Sequence, residues 1–453
     1  MTRRRYPIGF AWLNPAGTDH RRKRLTVDLH LGCAYLGAYL DRERGIRSRQ
    51  YVLREAAPED LAEKVRRDGV RILGFSVKDT NFFAVRWAAA AVKRRSPSTL
   101  IVLGGLSATF SDELLLTHCP DADACLRGYA ERELLAFSDA VLAGQDWRGT
   151  PALTYRDGSR IMRNPGQAYE GKADLDFLPS PYLSGILPGR LGPAVGISTS
   201  RGCLFHCSFC NPTVMAEYRI AYHSDQRVID ELRYIDDGLS RARVRGRKLM
   251  LLNEDIFALN PARTLRLCRQ IEAQGLKHLL FGCETRIEHL DEEVLGGMYA
   301  AGFRMLKFGL ESGNPRVLNT IKKVRSREGA ADGYAMEKAF IERVTRVVAI
   351  AKQIGFRVVA GAIFGLPGER LADAIDTLDA IHRLAVDEYY HNYLHLFPGT
   401  ELFREHERWG YRLELNPGFY PSIYRTYWPY PVELVPRLTT KLRRALRRDV
   451  VCL

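Results

Sequence analysis

The stretch Ser200-Arg201-Gly202-Cys203-Leu204-Phe205-His206-Cys207-Ser208-Phe209-Cys210 gathers three of the chain's nine cysteines within eight residues, in the spacing CxxxCxxC. Three thiolates on one short loop can hold three irons of a four-iron, four-sulfur cluster and leave the fourth open to a ligand that is not protein. The apolar run Pro193-Ala194-Val195-Gly196-Ile197-Ser198 leads into the loop as a buried strand. The cysteines then sit at a strand's C-terminal end, where barrel folds carry active sites. Three other readings stand beside this one. Zinc usually wants a fourth Cys or His at motif spacing, and His206 is the immediate neighbour of Cys207, which makes joint ligation awkward. A disulfide goes with secretion, and the start Met1-Thr2-Arg3-Arg4-Arg5-Tyr6-Pro7 has no apolar core of a signal. Three unrelated core cysteines are the remaining reading.

Downstream, a helical pattern over Val228–Tyr234 precedes the apolar strand Leu249–Leu252, which ends in Asn253-Glu254-Asp255. Two carboxylates at a strand end suit an acid pair, a metal site or a simple helix cap. Further strands are expected over Leu279–Arg286, Leu306–Gly313, Val358–Phe364 and Tyr393–Thr400. A helix over Leu295–Ala301 ends at Gly302, and Lys322–Lys338 reads as a polar loop insertion. Six strand–helix units in series predict an open partial barrel, (β/α)6, with its chemistry at the strands' C-terminal ends.

Upstream, a helical face containing Cys33 over Leu31–Tyr39, a short strand at Tyr51–Leu53, a helix at Asp60–Val65, a strand at Val70–Ser76, a helix at Phe83–Arg94 and a strand at Leu100–Gly105 alternate. That alternation predicts a parallel, doubly wound, Rossmann-like α/β sheet. Its strand ends at Ser76–Thr80, Gly104–Thr109 and Gly128–Glu131 are where such sheets bind ligands. Between the two α/β parts, Leu153–Gly158 reads as a hairpin with an Asp-Gly turn and Asp174–Pro181 as a linker. The expected organisation is 1–145 for the first domain, 146–190 for hairpin and linker, 191–400 for the barrel, and 401–453 for an aromatic and basic segment. That segment carries Trp409, Tyr411, Phe419, Tyr420, Tyr424, Tyr427, Trp428 and Tyr430, suited to a packed lid or a pocket wall.

Composition, 46% hydrophobic and 26% charged over 453 residues, is that of an ordinary globular chain, and no apolar run is long enough to span a membrane. Cytoplasmic localisation is the default. The net charge of +14 raises nucleic acid or an acidic surface as partner. The excess is spread out, however, with its densest parts at Arg21–Arg24, Arg241–Lys248 and a basic amphipathic helix at Lys441–Arg448.

The Arg-Gly lead-in, the three cysteines and the aromatic Phe209 resemble the cluster loop of the radical S-adenosylmethionine enzymes. The resemblance implies that Cys203, Cys207 and Cys210 hold a 4Fe-4S cluster. S-adenosylmethionine would chelate its open iron, and one electron would cleave it to methionine and a deoxyadenosyl radical. Glu254 and Asp255 lie where that family receives the amino group of S-adenosylmethionine. Gly309-Leu310-Glu311-Ser312-Gly313 is similar to the segment that contacts ribose and carboxylate, which gives that role to Glu311 and Ser312, with Arg286 as carboxylate partner. The run from Gly361 through Ile363 and Gly365 to Glu369 resembles the adenine-holding stretch, and Pro398-Gly399-Thr400 a family strand ending.

The N-terminal part is similar to the cobalamin-binding domain of the cobalamin-dependent subfamily, through Leu73–Ser76, Gly104–Thr109 and Gly128–Glu131. The implied cobalamin-binding residues are Ser76, Lys78, Gly104, Gly105, Thr109, Gly128 and Glu131, with the nucleotide tail beside Gly104, Gly105 and Thr109. Ser107 stands where many relatives carry histidine, and no DxHxxG motif supplies a histidine to cobalt. Lys78, Asp79 or Thr80 would then face the metal from below. The implied activity is methylation of an unactivated carbon in a small natural-product intermediate; rearrangement, cyclisation or epimerisation without methyl transfer is the alternative. An external electron donor such as flavodoxin or ferredoxin is implied too. A nucleic-acid substrate is disfavoured, because Cys33, Cys119 and Cys125 lack the spacing of the extra cluster found in the similar methylthiotransferases.

Overall fold

The computed structural model describes residues 6–13, 30–53, 58–166, 174–186, 196–243, 245–252, 254–324, 333–419, 422–428 and 450–452. The basic stretches Arg21–Arg24 and Lys441–Arg448, together with Tyr420 and Tyr430, lie outside them. The chain divides into two compact units: Met1–Lys172 with Asp176–Ala194 and Glu414–Arg425, and Val195–Leu413 with Ala173–Leu175 and Thr426–Leu453.

The first unit is built on a seven-stranded sheet of β1 (Ile8–Leu13), β2 (Ser48–Leu53), β3 (Ile72–Ser76), β4 (Leu100–Gly104), β5 (Ala124–Leu126), β6 (Leu153–Asp157) and β7 (Arg160–Arg163), in the order β2-β1-β3-β4-β5-β6-β7. The first five are parallel. The Asp-Gly hairpin supplies β6 and β7 as an antiparallel extension. Strand β1 is an apolar run between Pro7 and the turn residues Asn14-Pro15-Ala16-Gly17, and the reading of strands from the sequence passed over it. Period-two alternation splits the core: Leu73, Phe75, Ile101, Leu103 and Cys125 pack on one face, Ile72, Val102, Ala124 and Leu126 on the other.

Helices α1 (Leu31–Arg44), α2 (Pro58–Asp68), α3 (Phe82–Arg95), α4 (Leu106–Phe110), α5 (Asp112–His118) and α6 (Glu131–Ala143) complete this unit. Cys33 belongs to one core face while Cys119 and Cys125 belong to the other, so these three do not gather. Residues 414–425 of the aromatic segment belong to this unit, with Phe419 5.1 Å from the Phe82 ring, 4.9 Å from His118 and 5.0 Å beneath the Arg86 guanidinium. Ile423 is buried and its N–H donates to Asp79 Oδ1 at 3.2 Å. Phe419→Ala is expected to lower the stability of this unit by about 3 kcal/mol, read as a fall in its urea midpoint.

The second unit is a parallel sheet with helices between successive strands. Strands β8 (Gly196–Ile197), β11 (Lys248–Leu252), β12 (Leu279–Glu284), β13 (Phe303–Glu311), β14 (Arg357–Phe364) and β15 (Glu388–Tyr393) lie side by side in chain order, with Val450–Cys452 paired beyond β15. The sheet does not close. A hairpin of β9 (Ser200–Gly202) and β10 (Ile220–Tyr222) stands beside it. The helices are α7 (Asn211–Met215), α8 (Asp225–Arg241), α9 (Pro261–Ala273), α10 (Glu292–Ala300), α11 (Pro315–Thr320), α12 (Ala335–Ile354) and α13 (Leu371–Leu384).

Helix α8 starts at Ser224, whose side chain accepts from Arg227 N, and buries Val228, Ile229, Leu232, Ile235 and Leu239 at helical spacing. The expected sixth strand Tyr393–Thr400 is in fact Glu388–Tyr393, followed by a loop. Its polar text, Glu-Tyr-Tyr-His-Asn-Tyr, hides a strand, whereas the apolar Leu394 and Leu396 are buried within the loop.

Candidate active site

The cysteine loop hangs from the β9–β10 hairpin. Gly202 takes φ +91°, and a Cβ there would lie 2.2 Å from the Arg219 carbonyl oxygen and 2.9 Å from Ala216 Cβ. The loop is closed by Cys210 N donating to Cys207 O at 3.1 Å and Thr213 Oγ1 to Cys210 O at 2.9 Å. It is anchored by Ser208 N on Ile321 O at 3.0 Å and Leu402 N on Ser208 O at 3.1 Å.

Cys203, Cys207 and Cys210 are free thiols, which removes the disulfide reading. Burial pushes all three up, Cys210 to about 12; at Cys207 the Lys323 and Arg286 charges oppose it. Among the described residues no three His, Cys, Asp or Glu side chains converge on a single ion. His206 is stacked on Tyr218, with ring centroids 4.0 Å apart. Three thiols on one loop suit a cluster, in which each takes its own iron.

Arg286 stands behind this loop. Its guanidinium lies 3.8 Å over the Phe205 ring, with Nη1 3.9 Å from Cys207 Sγ, Nη2 donating to Lys323 O at 2.6 Å and Nε to Glu288 at 2.5 Å. These contacts place its guanidinium beside Cys207 and Phe205 of the loop. Glu254 and Asp255, past the end of β11, reach back to the same hairpin: Glu254 accepts from Ser200 Oγ and from Thr199 Oγ1 at 3.1 Å, and Asp255 Oδ2 accepts from Gly202 N at 3.2 Å.

Burial pushes Glu254 up to about 7, against its hydrogen bonds and the Arg263 charge. The folded chain therefore holds this proton more tightly than the unfolded chain does, and stability should fall as pH rises from the ordinary 4.5 to about 7, then level off. Glu254→Gln should remove that part of the slope, read from urea midpoints of the metal-free chain below and above the window.

Glu311 ends β13 at a register shift with φ +64°, and its carboxylate accepts from the buried Lys323 Nζ at 3.1 Å. It folds back so far that a Cβ on Gly309 would lie 1.9 Å from Glu311 Oε1. An ordinary residue held left-handed marks a place where the fold imposes a side-chain position. Ser312 is fully buried with Oγ 3.2 Å from Thr377 Oγ1 and accepts from Asn314 N at 3.1 Å, so its hydroxyl is used inside the protein.

On β14, a Cβ at Gly361 would come 2.6 Å from the Tyr390 hydroxyl, and Ile363 is half-buried. Gly365, at φ +81°, is covered by Trp428 and gives its carbonyl to Tyr411 Oη at 2.7 Å, while Glu369 accepts from Gly365 N at 2.7 Å. Three residues that sequence reading missed share this sheet face, alternating with the helix-side apolar residues. Lys307 pairs with Glu284 at 2.5 Å and lies 4.6 Å over the Tyr390 ring. Their signal in the text is polar residues at alternate positions of otherwise apolar strands.

In the first unit, the order β2-β1-β3-β4 reverses direction at the β1–β3 boundary, where doubly wound sheets open a ligand crevice at the strand ends. Gly104 and Gly105 end β4, and Gly105 has φ +92° with Val77 O only 3.0 Å from where a Cβ would stand. Thr109 Oγ1 donates to Gly105 O at 2.9 Å and accepts from Gly128 N at 3.0 Å, tying two neighbouring strand ends together. Nothing lies within 4 Å of a Cβ on Gly128, so this rim is open. A crevice floored by backbone suits a bulky ligand tail. Glu131 is buried in the first turn of α6. Lys78 and Thr80 are exposed, whereas Asp79 is buried and used by Ile423 N.

Ser76, at the end of β3, meets a residue that the sequence reading passed over: His30 Nε2 lies 3.0 Å from its Oγ. His30 Nδ1 accepts from Cys33 N at 3.2 Å, which leaves the proton on Nε2, and burial followed by the Lys78 charge lowers its pKa to about 4. It is a neutral donor at the strand ends.

A three-thiol loop on a parallel sheet and a crevice-bearing doubly wound sheet define an iron–sulfur enzyme with a second cofactor domain. Residues 197–381 match the radical SAM superfamily and residues 25–138 match the B12 binding domain. The chain thus joins a radical SAM domain to a B12 binding domain, and the cofactors that these two domains imply are a 4Fe-4S cluster, S-adenosylmethionine and cobalamin. It is 26% identical over 396 residues to an uncharacterized methyltransferase of Pyrococcus horikoshii, covering 86% of this chain and 81% of that one. It is also 26% identical over 278 residues to the anaerobic magnesium-protoporphyrin IX monomethyl ester cyclase of Cereibacter sphaeroides, covering 58% of this chain and 44% of the cyclase. Among solved structures it resembles the methyltransferase TsrM of Kitasatospora setae, with a TM-score of 0.73 at 16% identity over 98% of this chain and 89% of TsrM. At that identity the likeness speaks for the fold.

Proposed function

We propose that this enzyme is a cobalamin-dependent methyltransferase that acts on an unactivated carbon of a small molecule. One observation carries the reading: a single chain joins the three-thiol loop to a B12 binding domain, and a relative it matches over most of both lengths is a methyltransferase by name. The match to the Cereibacter sphaeroides cyclase spans less than half of that protein, and chemistry without methyl transfer is the second reading. When bound, the cofactors supply the radical and the methyl group.

The chain's own residues bind, orient and exclude water. Cys203, Cys207 and Cys210 hold the cluster, with Arg286 and Lys323 placing positive charge beside Cys207. Asp255, fixed by Gly202 N, takes the ammonium of S-adenosylmethionine, and Glu311, held by Lys323, takes its ribose hydroxyls. Glu254 positions the strand entering the loop. Ile363 and the Gly365 turn form the adenine wall, and Tyr411 and Trp428 fix that turn. Glu284, Lys307 and Tyr390 are the polar groups left on the same face for substrate. In the first unit, Gly104, Gly105, Thr109 and Gly128 receive the nucleotide tail of cobalamin, with Glu131, Lys78 and the His30–Ser76 pair around it.

The test is anaerobic incubation of the reconstituted enzyme with S-adenosylmethionine, a reductant and small-molecule extract. Methyl transfer predicts a product heavier than its precursor by about 14 Da. Deoxyadenosine formation with a product of unchanged mass would favour rearrangement instead.

A further inference from the structure

The nucleotide tail of cobalamin is assigned to the crevice beside Gly104 and Gly105, and a floor of backbone does not by itself select it. We propose that His30 is a positioning residue that turns the Ser76 hydroxyl into a hydrogen-bond donor for an acceptor atom of that tail, and that His30 does not ligate the cobalt. This rests on the assignment of the first unit as the cobalamin-binding domain.

His30 caps α1. Its Nδ1 accepts from Cys33 N at 3.2 Å, which occupies that nitrogen's lone pair. The neutral ring then carries its proton on Nε2, 3.0 Å from Ser76 Oγ, and this N–H donates to the hydroxyl. Burial, then the Lys78 charge, lowers the imidazole to about 4, so the ring stays neutral near pH 7. A histidine in this state has no nitrogen lone pair to offer a metal. Ligation would need the proton on Nδ1, where it would face the Cys33 N–H. The Trp12 ring, 5.9 Å from the imidazole between centroids, packs beside it.

A hydroxyl has one proton and two lone pairs. Ser76 Oγ accepts from His30 and makes no other hydrogen bond among the described residues, so its proton is kept for a ligand. The place fits as well. Ser76 ends β3, and a Cβ on Gly105 would lie 3.4 Å from Ser76 Oγ, so the hydroxyl borders the glycine turn assigned to the tail. Thr109, the other hydroxyl there, gives its proton to Gly105 O and accepts from Gly128 N. Ser76 is thus the one of the two left as a donor. His30 follows β1 and Ser76 ends β3, so their bond spans the boundary at which the strand order reverses.

Two substitutions separate this role from the helix cap. His30→Asn keeps a cap acceptor for α1 and is too short to reach Ser76, whereas His30→Gln reaches Ser76 with an amide N–H and gives up the cap. The full chain is titrated with hydroxocobalamin and with dicyanocobinamide, the corrin without its nucleotide tail, and dissociation constants are read from visible spectra. His30→Asn and Ser76→Ala are each expected to bind hydroxocobalamin about tenfold more weakly, and the double variant no more weakly than Ser76→Ala. Dicyanocobinamide should bind all of them as it binds the parent. His30→Gln should hold hydroxocobalamin like the parent while its urea midpoint falls. A role confined to the cap gives the reverse order, with His30→Gln weakened and His30→Asn intact, and would overturn the proposal. So would equal weakening toward both corrinoids, or unchanged hydroxocobalamin affinity in His30→Asn. Nitrogen splitting in the cob(II)alamin spin-resonance spectrum of the parent that is absent from His30→Asn would make His30 a cobalt ligand and overturn it too. A parent that binds neither corrinoid refutes the cobalamin assignment and the proposal with it, whereas the other adverse results refute the proposal alone.

Discussion

Cys207→Ala is expected to abolish cleavage of S-adenosylmethionine and to strip most of the iron from the reconstituted protein. The three thiols share one short loop whose backbone is closed by Cys210 N on Cys207 O and pinned by Ile321 and Leu402. Removing the central ligand leaves two thiolates for a cluster that needs three from protein. Cys207 is also the thiol beside which Arg286 is placed, at 3.9 Å from Sγ. Cys119→Ala is the matched control: that thiol is buried in the first unit's core, and its loss should cost stability alone. Iron per chain and deoxyadenosine per hour, measured side by side, check both. Full iron in Cys207→Ala would contradict the ligand assignment.

The second large effect is expected at Gly202, where the change is a single methyl group. A Cβ there meets a backbone carbonyl at 2.2 Å, which cannot swing aside as a side chain can, and the residue must also keep φ +91°. Overpacking and left-handed strain each cost roughly 1–3 kcal/mol, so Gly202→Ala should lose on the order of 4 kcal/mol and load iron poorly. Gly128→Ala separates the two causes. It has φ +78° but nothing within 4 Å of the added methyl, so it should pay the backbone cost of about 1 kcal/mol and no more. Urea midpoints of the two variants give the comparison, and equal losses would show that the contact with Arg219 does not matter.

The parts of the fold that the text reveals are those with a simple period. Strands β3, β4 and β14 are buried on both faces and read as unbroken apolar runs, as parallel strands between helices do. Strand β15 escapes for the opposite reason: one face carries Tyr390 and Asn392 for the open side of the sheet, so its text looks like a loop. The cysteines are legible because three thiols in eight residues have few other uses. Their support is not, because Arg286, Lys323 and Glu311 come together only through the order of the strands.

Ser312 shows a limit of carrying roles by position. It sits in the expected segment, yet its hydroxyl turns inward to Thr377, and Glu311 beside it presents the available carboxylate. His30 shows another limit. It lies 46 residues from Ser76 and is brought to it by the pairing of β1 with β3, and β1 is a strand that the sequence reading passed over. The aromatic segment, expected as one lid or wall, divides between the two units, and no local pattern encodes that division.

The most direct test of the central claim is metal analysis of the chain purified without oxygen in the presence of cobalamin and reconstituted with iron and sulfide. One chain that holds both cofactors predicts about four irons and one cobalt per polypeptide, with the cobalt lost when the Gly104–Gly105 turn is filled by larger residues and the iron retained. Iron at that level with no cobalt in the parent would contradict the cobalamin-dependent mechanism, whatever radical chemistry the barrel then proved to carry.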